Sequence, residues 1–335
     1  MPLLAVSALV VAALCFTGVQ RYSHAMEERR LAEEAAARAA AEAAKPKPSF
    51  SLEEADLDAF EGGAEVSGFT LAKNDRTPKL SAKHRDAIET AVGDLAETAD
   101  LSFVFLNTET GRGITYSPDT EIYGASSYKA PYALFVCEQL VEPGRISLGN
   151  VISSRTTGAV KGLIEDSIIW SSNKAFTTLR ANYDSLQYNE WAAALGVRDA
   201  PAGDGVWFPS YGARSSVKIW REMAGYFEFG SETSAWLKDL LTKPEESFIR
   251  DGIMREGMTV YNKAGWTASG EGFNSTSDAG IIEYKGSRYI MSIMCARPYS
   301  DASRASVSAL ADALFDARSA LEWEKSKAPV SKKDE

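Results

Sequence analysis

The chain has 335 residues, of which 45% are hydrophobic and 10% aromatic, enough for one large globular domain or two closely packed ones. Its net charge of −10 argues against nucleic acid and against a polybasic contact with anionic lipid, so the expected partner is a small molecule or a peptide. Because the chain has only two histidines, His24 and His84, a histidine-rich metal site is excluded, and we predict no metal or cofactor.

The N-terminal segment, residues 3–19, is apolar and just long enough to span a bilayer. It predicts a membrane anchor or a signal peptide within residues 1–25. Ser23-His24-Ala25 has the small-x-small form of a cleavage site, but the basic residues follow the apolar run instead of preceding it. We favour the anchor, and we expect an extracytoplasmic domain tethered to the membrane, or a secreted one if the segment is cleaved.

The region between this segment and the domain, residues 26–68, divides into two parts. Alanine, glutamate and arginine dominate residues 26–44, a composition typical of a helical stalk. Lys45-Pro-Lys-Pro ends the helix, and the acidic, glycine-containing stretch that follows predicts a linker. We place the globular domain at residues 69–323 and a disordered, lysine-rich tail at residues 324–335.

Hydrophobic periodicity and turn residues predict the elements of the domain. In chain order these are a helix at 81–96, a hairpin of strands 101–107 and 113–116, mainly helices from 127 to 196, a Gly- and Pro-rich loop at 199–212, helices within 215–241, strands at 259–263, 277–284 and 287–296, and a last helix at 303–323. Strands at both ends with helices between them indicate an α+β fold. One antiparallel sheet would be completed by both ends of the domain, with flanking helices and an inserted all-helical region.

The three cysteines carry little functional signal. Cys15 lies in the apolar N-terminal run, which leaves Cys137 and Cys295 for the domain. These two could pair outside the cytoplasm, but neither spacing nor motif requires it, and we favour buried free thiols.

Ser126 and Lys129 are three residues apart, just ahead of an apolar helical run. That spacing places both side chains on one helix face, where an amine in a partly dry site can take the proton of a serine hydroxyl. Pro131 is tolerated only near a helix start, so the pair lies in or beside the first turn. Backbone amides and the helix dipole there stabilise an oxyanion, although a serine at this position can equally be a simple helix cap.

Two further motifs follow in the chain. A Ser-Ser-Asn triplet, residues 171–173, ends a helical run, and a Lys-Ala-Gly-Trp sequence, residues 263–266, lies in a strand. Each alone has an ordinary interpretation, as a polar helix end and as a lysine that protects an edge strand from pairing. Together and in this order, the three motifs resemble the Ser-x-x-Lys, Ser-Asp-Asn and Lys-Thr-Gly set of class A β-lactamases and penicillin-binding proteins, across residues 71–323.

The resemblance implies a β-lactamase-like fold and three catalytic residues. Ser126 would attack the substrate carbonyl and form an acyl-enzyme. Lys129 would take the serine proton, directly or through water, and Ser171 would relay a proton to the leaving nitrogen.

The same resemblance implies three substrate-binding residues and an oxyanion hole. Asn173 would bind the amide side chain of the substrate, while Lys263 would hold Ser171 and a substrate carboxylate on the strand that also carries Gly265. The backbone amides of Ser126 and Trp266 would form the oxyanion hole.

Two substitutions depart from the family pattern within the motifs. Ser172 replaces the middle aspartate of the Ser-Asp-Asn motif, which is mainly structural in the family. Ala264 replaces the hydroxyl residue of the lysine triplet and removes one hydrogen bond to a substrate carboxylate. We therefore expect weakened recognition of ordinary penicillins.

A third departure concerns release of the acyl group. Class A enzymes carry a Glu-x-x-Leu-Asn loop whose glutamate activates the hydrolytic water, whereas residues 196–214 contain no glutamate. Asp199 and Asp204 are the carboxylates of this loop, and Glu190 belongs to the preceding helix. The sequence supports acylation but not rapid deacylation.

The favoured function is an exported serine hydrolase that acts on a β-lactam or on a cell-wall peptide ending in D-alanine. The alternative is a slow or inactive sensor or scaffold that binds β-lactams or peptidoglycan. A third possibility is another amidase of the same fold, such as a glutaminase, against which the N-terminal anchor argues. The expected partners are thus the substrate and, through the N-terminal segment, the membrane; no protein partner is predicted.

Overall fold

The computed structural model describes residues 50–73, 75–184, 187–202, 205–270 and 272–323, together with residues 26, 27, 30 and 33. These last four residues are helical, and the Arg30 guanidinium lies 2.8 Å from the Glu27 carboxylate. The predicted apolar segment, most of the predicted stalk and the predicted tail lie outside the described residues. Within the described ranges, no helix is both long and apolar enough to cross a membrane.

Nine helices and ten strands are described from residue 50 onward. In chain order they are β1 (Ser67–Thr70), α1 (Ala82–Ala96), β2 (Leu101–Asn107), β3 (Arg112–Tyr116), β4 (Ile122–Tyr123), α2 (Lys129–Phe135), β5 (Val151–Ser153), β6 (Thr157–Ala159), α3 (Val160–Ile168), α4 (Asn173–Tyr183), α5 (Tyr188–Ala194), β7 (Ser210–Tyr211), α6 (Ala213–Glu228), α7 (Glu232–Leu240), α8 (Phe248–Ile253), β8 (Met258–Ala268), β9 (Asn274–Tyr284), β10 (Ser287–Cys295) and α9 (Asp301–Asp316). A 3₁₀ turn, Ala125–Tyr128, precedes α2, and a π-helical segment, Val136–Val141, continues it.

Six of the strands form one antiparallel sheet in the order β1-β3-β2-β10-β9-β8. The early hairpin β2–β3 joins the late strand β10, with Leu101 opposite Cys295 and Asn107 opposite Tyr289. Both ends of the domain therefore complete one sheet, which confirms the α+β prediction. Strand β8 lies at one edge, so one side of its backbone is free of strand partners.

The sheet separates two hydrophobic clusters. Side chains of β2 alternate between them: Phe103 and Phe105 face the cluster beneath α1, α8 and α9, whereas Val104 and Leu106 face the cluster around α2 and α6. Because both faces are covered, all seven residues of β2 are buried. The helical region that carries the serine thus packs on one face of the sheet and the terminal helices pack on the other.

Both cysteines of the domain are buried and unpaired. Cys137 lies in the cluster around α2 and α6, whereas Cys295 lies in the cluster on the opposite face of the sheet. Burial raises the pKa of both thiols, that of Cys295 to about 11. The prediction of buried free thiols is confirmed, since the sheet stands between the two sulfurs.

The stretch predicted as a linker is folded onto the domain from Phe50 onward. Leu57 and Phe60 are only 2% and 4% exposed, and the Phe60 ring stacks on Phe69 at 3.9 Å. The Arg214 guanidinium lies 4.0 Å from the centre of the Phe60 ring and donates to the Leu57 carbonyl at 2.7 Å. Acidic residues dominate this stretch in composition, but a few apolar side chains between them make the contacts.

A short ribbon, β4–β7, was not predicted from the sequence. Tyr123 pairs with Ser210, and the Gly124 amide donates to the Pro209 carbonyl at 2.9 Å. A strand of two residues shows no periodicity, so hydrophobic patterning cannot reveal it. The ribbon ties the residues just before Ser126 to the end of the 199–212 loop.

Candidate active site

Ser126 lies in a strained turn that leads directly into α2. Ala125 has a φ of 45°, a left-handed conformation that costs a residue with a side chain about 1–2 kcal/mol. The Ser127 hydroxyl donates to the Gly124 carbonyl at 2.6 Å and forms a second hydrogen bond with the Tyr211 hydroxyl at 2.7 Å. These contacts hold the turn and present the half-buried Ser126 side chain at its surface.

Strand β8 lies directly against this turn at Gly265. A β-carbon added at Gly265 would lie 2.3 Å from the Ser127 amide nitrogen, 2.4 Å from the Gly124 carbonyl oxygen and 2.9 Å from the Ser126 amide nitrogen. Only glycine permits so close an approach. The predicted substrate-binding glycine is therefore the point at which β8 meets the Ala125–Tyr128 turn, called the nucleophile turn after the predicted role of Ser126.

The direction of the Trp266 amide follows from its place in the same strand. The Asn262 amide points away from β9 and donates to the Leu241 carbonyl at 3.0 Å. Backbone amides of a strand alternate in direction with a period of two, so the Trp266 amide points to the same free edge. Its position next to Gly265 supports the predicted pairing with the Ser126 amide in an oxyanion hole.

Lys129, the first residue of α2, is the centre of the site and only 1% exposed. Its amine donates to Asn173 Oδ1 at 2.7 Å and to the Ser171 carbonyl at 2.5 Å, and it lies 3.3 Å from Ser171 Oγ. The first two motifs are thus in direct contact. The Ser126 hydroxyl, in contrast, makes no hydrogen bond to any described residue, so the lysine hydrogen-bonds the Ser-Ser-Asn triplet and not Ser126.

The environment of Lys129 favours its neutral form. Burial, followed by the nearby charge of Lys263, lowers the pKa of the Lys129 amine to about 6. At neutral pH this amine is therefore able to accept a proton.

The Ser-Ser-Asn triplet is shaped by a second left-handed residue. Ser171 has a φ of 56°, which turns both its carbonyl and its hydroxyl toward Lys129. The Ser172 hydroxyl accepts a hydrogen bond from the Ala175 amide at 3.3 Å and caps the N-terminus of α4. A serine at the middle position therefore serves the structural role of a cap, and it leaves the exposed Asn173 at the start of the helix.

Lys263 is placed differently from the prediction. It is 1% exposed, and its amine donates to the carbonyl of the next residue, Ala264, at 2.8 Å. Burial lowers the pKa of Lys263 to about 7, while the buried carboxylate of Asp278 opposes that shift. Within the described residues Lys263 makes no hydrogen bond to Ser171, so its influence on Lys129 is electrostatic.

None of the described carboxylates in or just before the 199–212 loop takes the place of the glutamate that the family pattern has there. Asp199 Oδ2 accepts a hydrogen bond from the Gly212 amide at 2.9 Å, so this carboxylate fastens the two ends of the 199–212 loop. Glu190 lies exposed in the first turn of α5, and Asp204 lies outside the described residues. Within the described part of the chain, no carboxylate forms a hydrogen bond with the Lys129 amine.

An aromatic group occupies the place beside the lysine, and sequence reasoning missed it. The Phe208 ring centre lies 5.6 Å from the Lys129 amine. Tyr123 meets Phe208 edge to face at 6.3 Å, and Phe273 meets Tyr123 edge to face at 5.4 Å. The signal available in the sequence was a pair of aromatic residues, Trp207 and Phe208, in a loop otherwise rich in glycine and proline.

A metal centre has no obvious ligands in this part of the molecule. The described residues contain no group of three or more His, Cys, Asp or Glu side chains placed to hold a metal ion. The chemistry of the site is that of a serine, two buried amines and backbone amides.

This arrangement, with a Ser-x-x-Lys turn against the edge strand of an antiparallel sheet, is that of the β-lactamase-like fold. Residues 83–317 match the model of a family described as the Beta-lactamase enzyme family. Since the match covers more than half of the chain, the chain belongs to this family, and the resemblance seen in the motifs is confirmed.

Solved structures show the same fold at low identity. PBP-A shares 17% identity over 70% of this chain and 96% of its own, with a TM-score of 0.60. A β-lactamase from Sphaerobacter thermophilus shares 16% identity over 72% of this chain and 98% of its own, with a TM-score of 0.62. A variant of PBP-A in an acyl-enzyme complex with penicillin G shares 16% identity over 70% and 96%, with a TM-score of 0.60. No curated protein sequence matches the chain significantly.

Proposed function

We propose that this domain forms an acyl-enzyme on Ser126 with a β-lactam or with a cell-wall peptide ending in D-alanine. The single observation that carries the proposal is the Lys129 amine. It is buried, it contacts both Ser171 and Asn173, and its pKa of about 6 makes it a neutral base at pH 7. The Lys129 amine would therefore act as the base that takes the Ser126 proton, so that no histidine is needed.

The acylation step uses each residue of the cluster. As the Ser126 oxygen bonds to the carbonyl carbon, its proton passes to Lys129, directly or through a water molecule. The carbon–nitrogen bond then breaks, and the proton moves from Lys129 through Ser171 to the leaving nitrogen. The amides of Ser126 and Trp266 would stabilise the oxyanion, and the loss of one such donor typically costs about two to three powers of ten in rate.

Release of the acyl group is the slow step in this proposal. Hydrolysis needs a base that activates water beside the ester, and the aromatic ring of Phe208 cannot accept a proton. Ala264, whose methyl group is buried in the cluster beneath the sheet, offers no hydroxyl to a substrate carboxylate. Both observations favour the second candidate function, a sensor or scaffold that holds its ligand as a long-lived adduct.

The proposed location is outside the cytoplasm, with the domain tethered through residues 3–19. The support is the apolar composition of that segment. Protease added to cells with a permeabilised outer envelope and an intact cytoplasmic membrane should degrade the domain. Protection until the cytoplasmic membrane is lysed would overturn this proposal.

Intact mass measured over time with benzylpenicillin tests the proposed chemistry. We expect an adduct of one benzylpenicillin on the wild-type chain and none on Ser126→Ala. An adduct that persists for hours supports the sensor or scaffold, whereas one that clears within minutes supports the hydrolase. No adduct, or equal labelling of Ser126→Ala, would overturn acylation of Ser126.

A further inference from the structure

Three aromatic side chains from separate parts of the chain meet beside the nucleophile turn. Tyr123 comes from β4, just before the turn, Phe208 comes from the 199–212 loop, and Phe273 comes from the connection between β8 and β9. Tyr123 contacts both partners edge to face, at interplanar angles of 71° with Phe208 and 82° with Phe273. We call these three residues the aromatic wall.

The aromatic wall is unusually open to solvent for so much apolar surface. Phe273 is 56% exposed, and Tyr123 and Phe208 are half-buried. Behind the wall, Phe176 stacks on Phe208 at 5.1 Å, so the ring is supported from the core side. A contiguous apolar surface that stays exposed at the edge of a site is one that a ligand can cover.

The position of Phe208 in the wall is fixed by a buried cation. The Arg180 guanidinium donates to the Trp207 carbonyl at 2.6 Å and to the Val206 carbonyl at 2.9 Å, while its Nε donates to Asp184 at 2.5 Å. Arg180 is fully buried, so these bonds are shielded from water. The backbone just before Phe208 is therefore held before any ligand arrives, which lowers the entropic cost of binding.

An amide side chain also lies near the wall. Lys129 contacts Asn173 Oδ1 at 2.7 Å and lies 5.6 Å from the Phe208 ring centre, so Asn173 stands close to the wall. Because its oxygen is engaged by the lysine, the exposed Asn173 has its NH₂ group available to donate. An amide donor beside aromatic rings matches a ligand that carries an acceptor next to an apolar group.

We propose that the aromatic wall selects acyl donors that carry an aromatic acylamino group next to the reacting carbonyl. The proposal rests on the proposed acylation of Ser126. The aromatic ring of the donor packs against Tyr123, Phe208 and Phe273, and its amide carbonyl accepts from Asn173. The aromatic wall thus selects among acyl donors by their side chains, while Lys129 takes the Ser126 proton in the reaction with any of them.

Two penicillins that share one nucleus test this selection. Benzylpenicillin carries a phenylacetyl group on its side-chain nitrogen, whereas 6-aminopenicillanic acid carries none. Rates of Ser126 acylation by each are measured by intact mass on the full chain, on Phe273→Ala and on the control Phe229→Ala. Phe229 is a matched control because it is 65% exposed and lies in neither the wall nor the site.

We expect the wild-type chain to react at least about tenfold faster with benzylpenicillin, because its phenyl ring gains aromatic contacts. Phe273→Ala should reduce this ratio about tenfold by slowing benzylpenicillin alone, and Phe229→Ala should leave it unchanged. Equal wild-type rates, or an equal slowing of both penicillins by Phe273→Ala, would overturn the selection but leave acylation intact. If neither compound labels Ser126, both this inference and the proposed function are overturned.

Discussion

The Lys129 amine is buried and surrounded by several hydrogen-bond acceptors. Its contacts are a carbonyl, a hydroxyl and an amide oxygen, which are neutral acceptors. Neutral acceptors stabilise an ammonium less than a carboxylate would, so desolvation dominates and the amine stays a base. The same residue next to an aspartate would remain charged and could not take a proton at pH 7.

The pH dependence of acylation should report this amine. As pH rises through about 6, Lys129 loses its proton, so the acylation rate of Ser126 by benzylpenicillin should rise and then level off. Lys129→Ala should lower the rate by about two to four powers of ten. The exposed Lys174 provides a control, and a comparable loss in Lys174→Ala or a flat pH profile would contradict the assignment.

Gly265 should tolerate no side chain. In Gly265→Ala, the new methyl group would clash with the backbone of the nucleophile turn, which cannot yield without moving Ser126. We expect a loss of about 1–3 kcal/mol in the free energy of unfolding, measured with urea, and loss of acylation.

Gly162→Ala is the matched control for that substitution. Gly162 lies within α3 with open space around its α-carbon, so alanine there should stabilise the helix by about 0.5–1 kcal/mol. If Gly265→Ala were as stable and as reactive as Gly162→Ala, the close contact between β8 and the nucleophile turn would contribute neither to stability nor to acylation.

At the scale of secondary-structure elements, the sequence predicted the long helices and strands and missed the short ones. Strand 101–107 agrees with β2 at both ends, because every residue of it is buried and the flanking turns are clear. The ribbon β4–β7 and the aromatic wall arise from pairs of residues far apart in the chain, and no local pattern encodes them. The motifs predicted that Lys129, Ser171 and Asn173 belong together, and their side chains do meet. The motifs could not show that the Lys263 amine donates to a carbonyl of its own strand.

The 199–212 loop should control how long the adduct lasts. In Phe208→Glu, a carboxylate replaces the ring whose centre lies 5.6 Å from the Lys129 amine, and it can activate water there. The adduct should form more slowly, because a carboxylate near Lys129 favours the charged amine. Once formed, the benzylpenicillin adduct should clear at least about tenfold faster than on the wild type.

Trp207→Glu places the same charge one residue earlier, where the side chain lies near Arg155. It should not shorten the lifetime of the adduct. An unchanged lifetime in Phe208→Glu, or an equal shortening in both variants, would show that the position beside Lys129 is not what limits release.

At the scale of the whole molecule, buried ionisable groups link stability to pH in two opposite directions. Burial lowers the pKa values of Lys129 and Lys263, so in the alkaline range the unfolded chain binds more protons than the folded one. Burial and the neighbouring Glu222 raise the pKa of Glu138 to about 7, so near neutral pH the folded chain binds more protons. Substitution of Lys129 or of Glu138 separates the contribution of the buried amines to the pH dependence of stability from that of the buried carboxyl group.

The lysine contribution should appear as a rise in stability with pH. Between about pH 6 and the ordinary lysine pKa near 10.5, each unit of pH should favour the wild type over Lys129→Met by at most about 1.4 kcal/mol. Urea unfolding at pH 7 and pH 9 measures this difference. A difference independent of pH would mean that Lys129 stays protonated in the folded chain.

The carboxyl contribution should have the opposite sign. The folded pKa of Glu138 lies above its unfolded value near 4.5, so the wild type should lose stability relative to Glu138→Gln as pH rises from about 5 to 7. Urea midpoints of both proteins at pH 5 and pH 7.5 test the slope. If the wild type gained stability relative to Glu138→Gln over that interval, the raised pKa of Glu138 would be refuted.

The contact between β8 and the nucleophile turn also orders events in time. Ser126 lies in the first half of the chain, yet the strand that supports its turn belongs to the last quarter, and β2 gains its partner β10 later still. Pairing over such distances is slow, so the turn that carries Ser126 is among the last features to be assembled. An unfinished chain would therefore carry Ser126 without the strand that supports its turn until the C-terminal region has been synthesised.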